Sequence, residues 1–348
     1  MRDVIIIGGG PAGSTLARLI GKDFNVLVID KKNSDESKTT FKKPCGGLIA
    51  PDAQRALARF QLQIPTEVLA NPQIFAVKTI DLQSKRITHY QRFYLNVNRY
   101  RFDRWLLSLV VDADVIEDAR VMNIKKLNDH YQVTYSKDGI EQVEHTRMVV
   151  GADGADSMVR KTFFTRKIRQ YMAIQQVFNA SDIKPLYASL FDHTLTDSYG
   201  WGLVKDGGLI FGAALPVRDS RKSFELLKAR SAAYNFDFSN PLLTEACLVN
   251  SPRSIKEIEC GSDNVFLIGE AAGFISPSSL EGISYAMDSA LALAQAMKEK
   301  NIINYYKFKC RKIKVKILLK QMKSIVLYTP ILRNLVMLSK LDSINLVE

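Results

Sequence analysis

"DVIIIGGGPAGSTLARLIGKDFNVLVID", residues Asp3 to Asp30, decides the fold. Val4 to Ile7 is an unbroken apolar run of strand length, three glycines follow it, and apolar residues then recur at helical spacing from Pro11 to Gly21. Asn25 to Ile29 returns to a buried-strand pattern that ends on Asp30. Strand, glycine turn, helix and strand make one βαβ unit.

Gly8, Gly10 and Gly13 have the spacing G-x-G-x-x-G. The first glycine permits a tight turn, the second lets a pyrophosphate approach the backbone, and the third lets helix and strand touch. The helix N-terminus at Pro11 and Ala12 attracts the phosphate charge. Asp30, followed by Lys31, stands where a ribose hydroxyl is held. A bare glycine pattern also describes a turn that binds nothing. Here the helix, the second strand and the terminal acid all fall in order, which favours dinucleotide binding.

Outward from this unit, Asp52 to Phe60 is expected to be a short helix, with strands in "FAVKTIDL" and "RFYLNVN". A helix at "RYRFDRWLLSLV" precedes strands at Ala119 to Lys125, "YQVTYS" and "TRMVVGADG". Strand patterns crowd the stretch from Tyr171 to Leu215, which predicts an inserted antiparallel sheet, and Ile283 to Lys300 is apolar at helical spacing. The expected organisation is a discontinuous first domain over 1–70, 95–165 and 260–300. A second domain takes 71–94 and 166–259, and C-terminal helices take 301–348.

Two further glycine-acid turns follow buried-strand runs: "VVGADGADS", Val149 to Ser157, and "FLIGEAAGFISPSSLEGI", Phe266 to Ile283. Together with the first turn they resemble the three fingerprints of the FAD enzymes of the para-hydroxybenzoate hydroxylase superfamily. The resemblance implies an α/β fold: a Rossmann-like FAD-binding domain with an inserted antiparallel-sheet substrate domain and C-terminal helices. It implies FAD held by Gly8, Gly10, Pro11, Ala12, Gly13, Asp30, Lys31, Val121, Asp153, Glu270, Gly273, Gly282 and Ile283. Glu270 stands where the family usually has aspartate, a carboxylate on a longer stem. Arg99 in "RYRFD" resembles the family's R-x-x-F-D helix start, where the arginine approaches FAD.

"KPCGGLIAP", Lys43 to Pro51, and "SYGWGLVKDGGLIFGAA", Ser198 to Ala214, resemble two segments of the geranylgeranyl reductase branch. Cys45, Gly46 and Gly47 would then wall the flavin, and Cys45 is the candidate catalytic residue, although nothing adjacent in sequence depresses its thiol pKa. Tyr199 and Trp201, at strand spacing, are candidate substrate contacts or core aromatics. Lys205 shares their face and is the third candidate substrate contact, with a solvated position as the expected alternative. The branch implies a flavin that takes hydride from NAD(P)H or another transient donor and passes it to an isoprenoid double bond. A monooxygenase using NAD(P)H and oxygen, and a low-turnover flavin redox sensor, are the competing readings.

The bulk composition adds limits. The 348 residues carry a formal charge of +12, but twelve Lys/Arg against three acids in Lys298 to Glu348 supply most of it. The remainder is nearly balanced, which argues against nucleic acid as a partner. Four scattered cysteines suggest neither zinc nor a disulfide framework, and reduced thiols fit a cytoplasmic protein. No apolar run reaches the roughly 18 residues of a spanning helix. The tail mixes lysines with Ile, Leu, Val and Met, so it is expected either to cover the core or to lie on the inner face of a membrane. A hydrophobic or lipid substrate is the expected partner, and the sequence leaves the oligomeric state open.

Overall fold

The computed structural model describes residues 1–38, 43–179, 187–341 and 343–345. Residues 342 and 346–348 of the predicted C-terminal segment lie outside them. The chain opens with β1 (Arg2–Ile7), α1 (Pro11–Ile20) and β2 (Val26–Ile29). Next come β3 (Leu48–Ile49), α2 (Pro51–Arg59), β4 (Ile74–Asp81) and β5 (Arg86–Asn96). After α3 (Arg99–Ser108) the chain makes β6 (Asp114–Ile116), β7 (Ala119–Lys126), β8 (Tyr131–Lys137), β9 (Ile140–Gly151) and α4 (Met158–Phe163). A second run of strands follows: β10 (Gln170–Asn179), β11 (Tyr187–Phe191), β12 (Gly200–Lys205) and β13 (Gly208–Pro216), then α5 (Ser220–Ser231) and β14 (Pro241–Asn250). The chain closes with β15 (Gly261–Ser262), β16 (Val265–Leu267), α6 (Gly269–Ala272), α7 (Ile283–Ala296), α8 (Ile302–Lys309), α9 (Arg311–Tyr328) and α10 (Pro330–Ser339).

Two compact units result. The first comprises Met1–Lys42, Tyr100–Arg169 and Asn250–Leu319. Its sheet runs β16, β9, β1, β2 and β6 in parallel, with β15 on one edge and β7 and β8 joining β9 as an antiparallel meander. Ile5 sits in register with both Leu27 and Val149, so β1 is enclosed on both edges. That accounts for its unbroken apolar sequence: a central parallel strand is covered on both faces as well. Leu16 and Ile20 of α1, with Ala290 and Leu293 of α7, complete this core.

The second unit comprises Lys43–Arg99, Gln170–Val249 and Lys320–Glu348. Its sheet has the order β14-β10-β13-β12-β11-β4-β5-β3, antiparallel throughout the β10 to β13 run, with β11 parallel to β4. One face buries Phe178, Leu190 and Phe211 against Phe224 and Leu227 of α5. The opposite face carries Tyr187, Ser189, Trp201, Leu203 and Lys205.

Four expected boundaries change. Residues 43–70 and 95–99 belong to the second unit, because β3 pairs with the end of β5 and Leu69 bridges Val97. Residues 166–169 and 250–259 belong to the first: Ser251 N–H bonds Arg169 O at 2.8 Å, and the Asn250 side chain bonds Glu270 O at 2.9 Å. The C-terminal helices are no separate body. Tyr306 of α8 donates its hydroxyl to Leu267 O at 2.8 Å, and Ile313 and Ile317 of α9 enter the first core. The end of α9 and all of α10 group with the second unit.

Candidate functional site

In the first unit the three glycine turns meet at the carboxyl ends of the parallel strands, where ligands of such sheets bind. A Cβ on Gly8 would lie 2.6 Å from Ala152 O, and one on Gly269 would lie 2.9 Å from the Ala12 side chain. The first turn therefore touches both of the others. Gly8 has φ +103°, accessible to glycine at little cost, and a Cβ on Gly13 would fall 1.9 Å from Gly8 O.

Gly10 differs from its neighbours, since a Cβ there would meet nothing within 4 Å. It caps α1 with no side-chain hydrogen bond, and no acid stands in the first turn of this ten-residue helix. The first-turn N–H groups therefore have no partner within the helix. Open space over an uncapped helix N-terminus fits a diphosphate. Asp153 gives the second test of fit. Its Oδ2 accepts the Met158 N–H at 2.7 Å, whereas among the described residues its Oδ1 is buried without a hydrogen-bond partner. Burial holds its pKa above the ordinary carboxylate value despite the backbone hydrogen bonds it accepts. A ligand hydroxyl or N–H would satisfy that oxygen. These residues fit FAD.

The other acids are already engaged. Asp30 Oδ2 accepts from Arg104 Nη2 at 2.5 Å, and its Oδ1 lies 3.4 Å from the Lys32 N–H. A ribose would share the carboxylate with that arginine. Glu270 Oε1 accepts the Asn250 N–H at 3.0 Å. Gly282 caps α7 without a side-chain bond and Ile283 begins it, as expected, while Gly273 has φ +91° and closes α6. Lys31 is exposed, and the Val121 side chain is buried in the core. The sequence reading missed two partners: Arg104, and Lys32, whose ammonium pairs with buried Asp103 at 2.8 Å.

The second unit holds a different constellation. Arg99 Nη1 lies 3.6 Å from Cys45 Sγ, and the Gly47 N–H lies 3.4 Å from the same sulfur. Lys205 is turned inward, a correction to the solvated lysine expected: Nζ donates to Gly46 O at 2.6 Å and Val97 O at 2.7 Å. The loop glycines are required by the protein itself. A Cβ on Gly46 would strike Leu203 at 2.9 Å, and one on Gly47, at φ +64°, would strike both Lys205 Nζ and Val97 O at 2.3 Å.

This environment changes both ionisations. Burial lowers the Lys205 pKa to about 8, against the pull of Cys45 and Asp206. Burial pushes the Cys45 thiol up, but Arg99, the Gly47 N–H, Lys43 and Lys205 outweigh it and hold the thiol below its ordinary value. Iodoacetamide is therefore expected to label half-buried Cys45 ahead of buried Cys260 and Cys310. Its rate should rise at a pH below that of a free thiol, and Arg99→Met should move the rise upward. A Cys45 titration at the ordinary thiol value in both proteins would contradict this environment.

Tyr199 and Trp201 lie on one side, with ring centroids 5.9 Å apart. Trp201 is buried, its ring lies 2.5 Å from where a Cβ on Gly212 would be, and its Nε1–H donates to Gln175 Oε1 at 3.2 Å. It packs across β13, and Leu203 continues the same face toward the Cys45 loop.

Residues 3–233 match the family described as lycopene cyclase protein. Protein CbrA of Escherichia coli O157:H7 is 46% identical, over 97% of this chain and 96% of that protein. Protein CbrA of Shigella dysenteriae serotype 1 is likewise 46% identical, with the same coverage. A geranylgeranyl bacteriochlorophyll reductase-like structure from Thermoplasma acidophilum superposes with a TM-score of 0.81 at 19% identity, covering 99% of this chain and 92% of that one. PqsL of Pseudomonas aeruginosa, crystallised with 2-aminobenzoylacetate, superposes with a TM-score of 0.70 at 16% identity, covering 98% and 99%. These two structures share the fold, and on its sequence the chain belongs to the CbrA family and to the family described as lycopene cyclase protein.

Proposed function

We propose that the protein reduces carbon-carbon double bonds of a hydrophobic, isoprenoid-like substrate. The observation that carries this reading is a thiol of lowered pKa beside a buried sheet face bearing Trp201, Leu203 and Tyr187. Bound FAD, once reduced, supplies the hydride. NAD(P)H is the proposed donor, meeting the flavin transiently, since the chain has only the one dinucleotide fingerprint.

Reducing an alkene also requires a proton at the second carbon, and Cys45 Sγ is the group proposed to hold it. A general acid works best when its pKa lies near the operating pH, and the Arg99–Lys205 surroundings move the thiol in that direction. Lys205 ties the loop to the chain after β5 by donating to Gly46 O and Val97 O, and its ammonium is the proposed source of the proton that returns to the thiolate. Half-buried Tyr199, its ring beside that of Trp201, offers an isoprenoid chain an apolar surface.

The test is anaerobic. Protein loaded with FAD and reduced with dithionite is mixed with geranylgeraniol. Flavin reoxidation is expected with a product two hydrogens heavier, and Cys45→Ser should slow it roughly 100-fold. Reoxidation only when oxygen is admitted, with an oxygen atom in the product, would establish a monooxygenase instead.

A further inference from the structure

α10 is built inside out. Its one charged residue, Arg333, points into the protein: Nε donates to Asp81 Oδ2 of β4 at 2.7 Å, and the guanidinium lies 4.9 Å from the centre of the Phe191 ring. The pair is almost fully enclosed, 3% and 2% exposed. Met337, one turn on, is the other buried residue of the helix. The opposite face, Ile331, Leu335 and Leu338 at i, i+4 and i+7, faces solvent, with Ile331 73% and Leu335 57% exposed. The end of α9 also exposes apolar side chains, Met322 and Ile325 each 62%, here with half-buried Lys320 before them and exposed Lys323 between them in sequence. A soluble helix ordinarily turns its apolar stripe inward and its charge outward. Exposed apolar faces on successive helices mark an interaction surface.

The charge pattern identifies the partner. Between Glu299 and Asp342 the sequence contains no acidic residue, while Lys320, Lys323 and Lys340 border the apolar faces. A second copy of this chain would bring like charge against like, with no carboxylate in the segment to offset it. An anionic bilayer supplies both needs: phosphates for the lysines and an acyl boundary for the leucines and isoleucines. Among the described residues no helix is long and apolar enough to cross a membrane. We propose that the end of α9 and α10 form a docking surface that lies on anionic phospholipid bilayers. The reading is independent of the reaction proposed above, since it concerns binding alone.

The test uses the full-length, FAD-loaded protein and flotation with vesicles of phosphatidylcholine, alone or mixed with phosphatidylglycerol. The protein is expected to float with the mixed vesicles and to be released progressively by salt. Replacing both lysines (Lys320→Gln with Lys323→Gln) should weaken binding to the mixed vesicles about 30-fold, at about 1 kcal/mol per lysine. Ile331→Ser with Leu335→Ser should weaken it by at least about tenfold, with the melting temperature and flavin content unchanged. If the serine pair lowers the melting temperature, the lysine pair and the salt dependence decide. Wild-type protein left unbound by both vesicle types would overturn the proposal. So would a concentration-dependent dimer that the serine pair dissolves, which would assign the face to a second copy.

Discussion

Gly13→Ala is expected to give a colourless protein that FAD does not reconstitute. The added Cβ would lie 1.9 Å from Gly8 O and 3.2 Å from the Ile6 side chain. Gly8 cannot retreat, because its own Cα carries no room on the far side: a Cβ there would already meet Ala152 O at 2.6 Å. The start of α1 and the ends of β1 and β9 would have to part, at a cost of about 3 kcal/mol or more. Gly10→Ala supplies the contrast. Nothing in the protein meets its Cβ, and its φ of −72° suits alanine, so the fold and melting temperature should survive. FAD affinity should nevertheless fall, by roughly tenfold or more, because the methyl group occupies the space over the α1 N-terminus. Flavin absorbance after desalting and a thermal melt separate the two effects. Full FAD affinity in Gly10→Ala would remove the phosphate from that helix.

The contrast also shows what a sequence can carry. The βαβ unit was legible because its signals are local: an apolar run, glycines at fixed offsets, and an acid at the end of the next strand. The convergence of the three glycine turns followed from their resemblance to a known set. Pairings across long separations were not legible. Lys205 clamps the carbonyls of Gly46 and Val97, which lie 159 and 108 residues away, and a carbonyl leaves no mark in a sequence. Asp30 meets Arg104 across 74 residues, one of many arginines that could have filled the place. The domain boundary at 43–70 failed for the same reason, since β3 is two residues long and only its pairing with β5 assigns it. In α10 the hydrophobic period was visible but its direction was not. Which side of a helix faces inward depends on Asp81, 252 residues earlier.

That pair carries the second large effect. Arg333→Met should destabilise the protein by about 3–5 kcal/mol, the cost of leaving a buried carboxylate without its counter-ion. Adding Asp81→Leu should restore part of the loss: two apolar residues then replace two charges that were both removed from water, while the Gln83 and Ser84 N–H groups lose their carboxylate acceptor. The pH dependence follows from the sign of the shift. Burial pushes the Asp81 pKa up, but the Ser84 and Gln83 N–H groups and the Arg333 guanidinium outweigh it, so the folded value lies below the ordinary one. Its contribution is therefore complete above the unfolded carboxylate value, about 3.9, and disappears as pH falls through the lower folded value. Wild-type protein should lose this increment in acid, while the double variant has none to lose. Urea unfolding at neutral and acid pH measures both. An Arg333→Met protein within about 1 kcal/mol of wild type would show that water reaches the pair. The large value is expected because α10 has little else to hold it: its outward face is apolar, and only Arg333 and Met337 are buried.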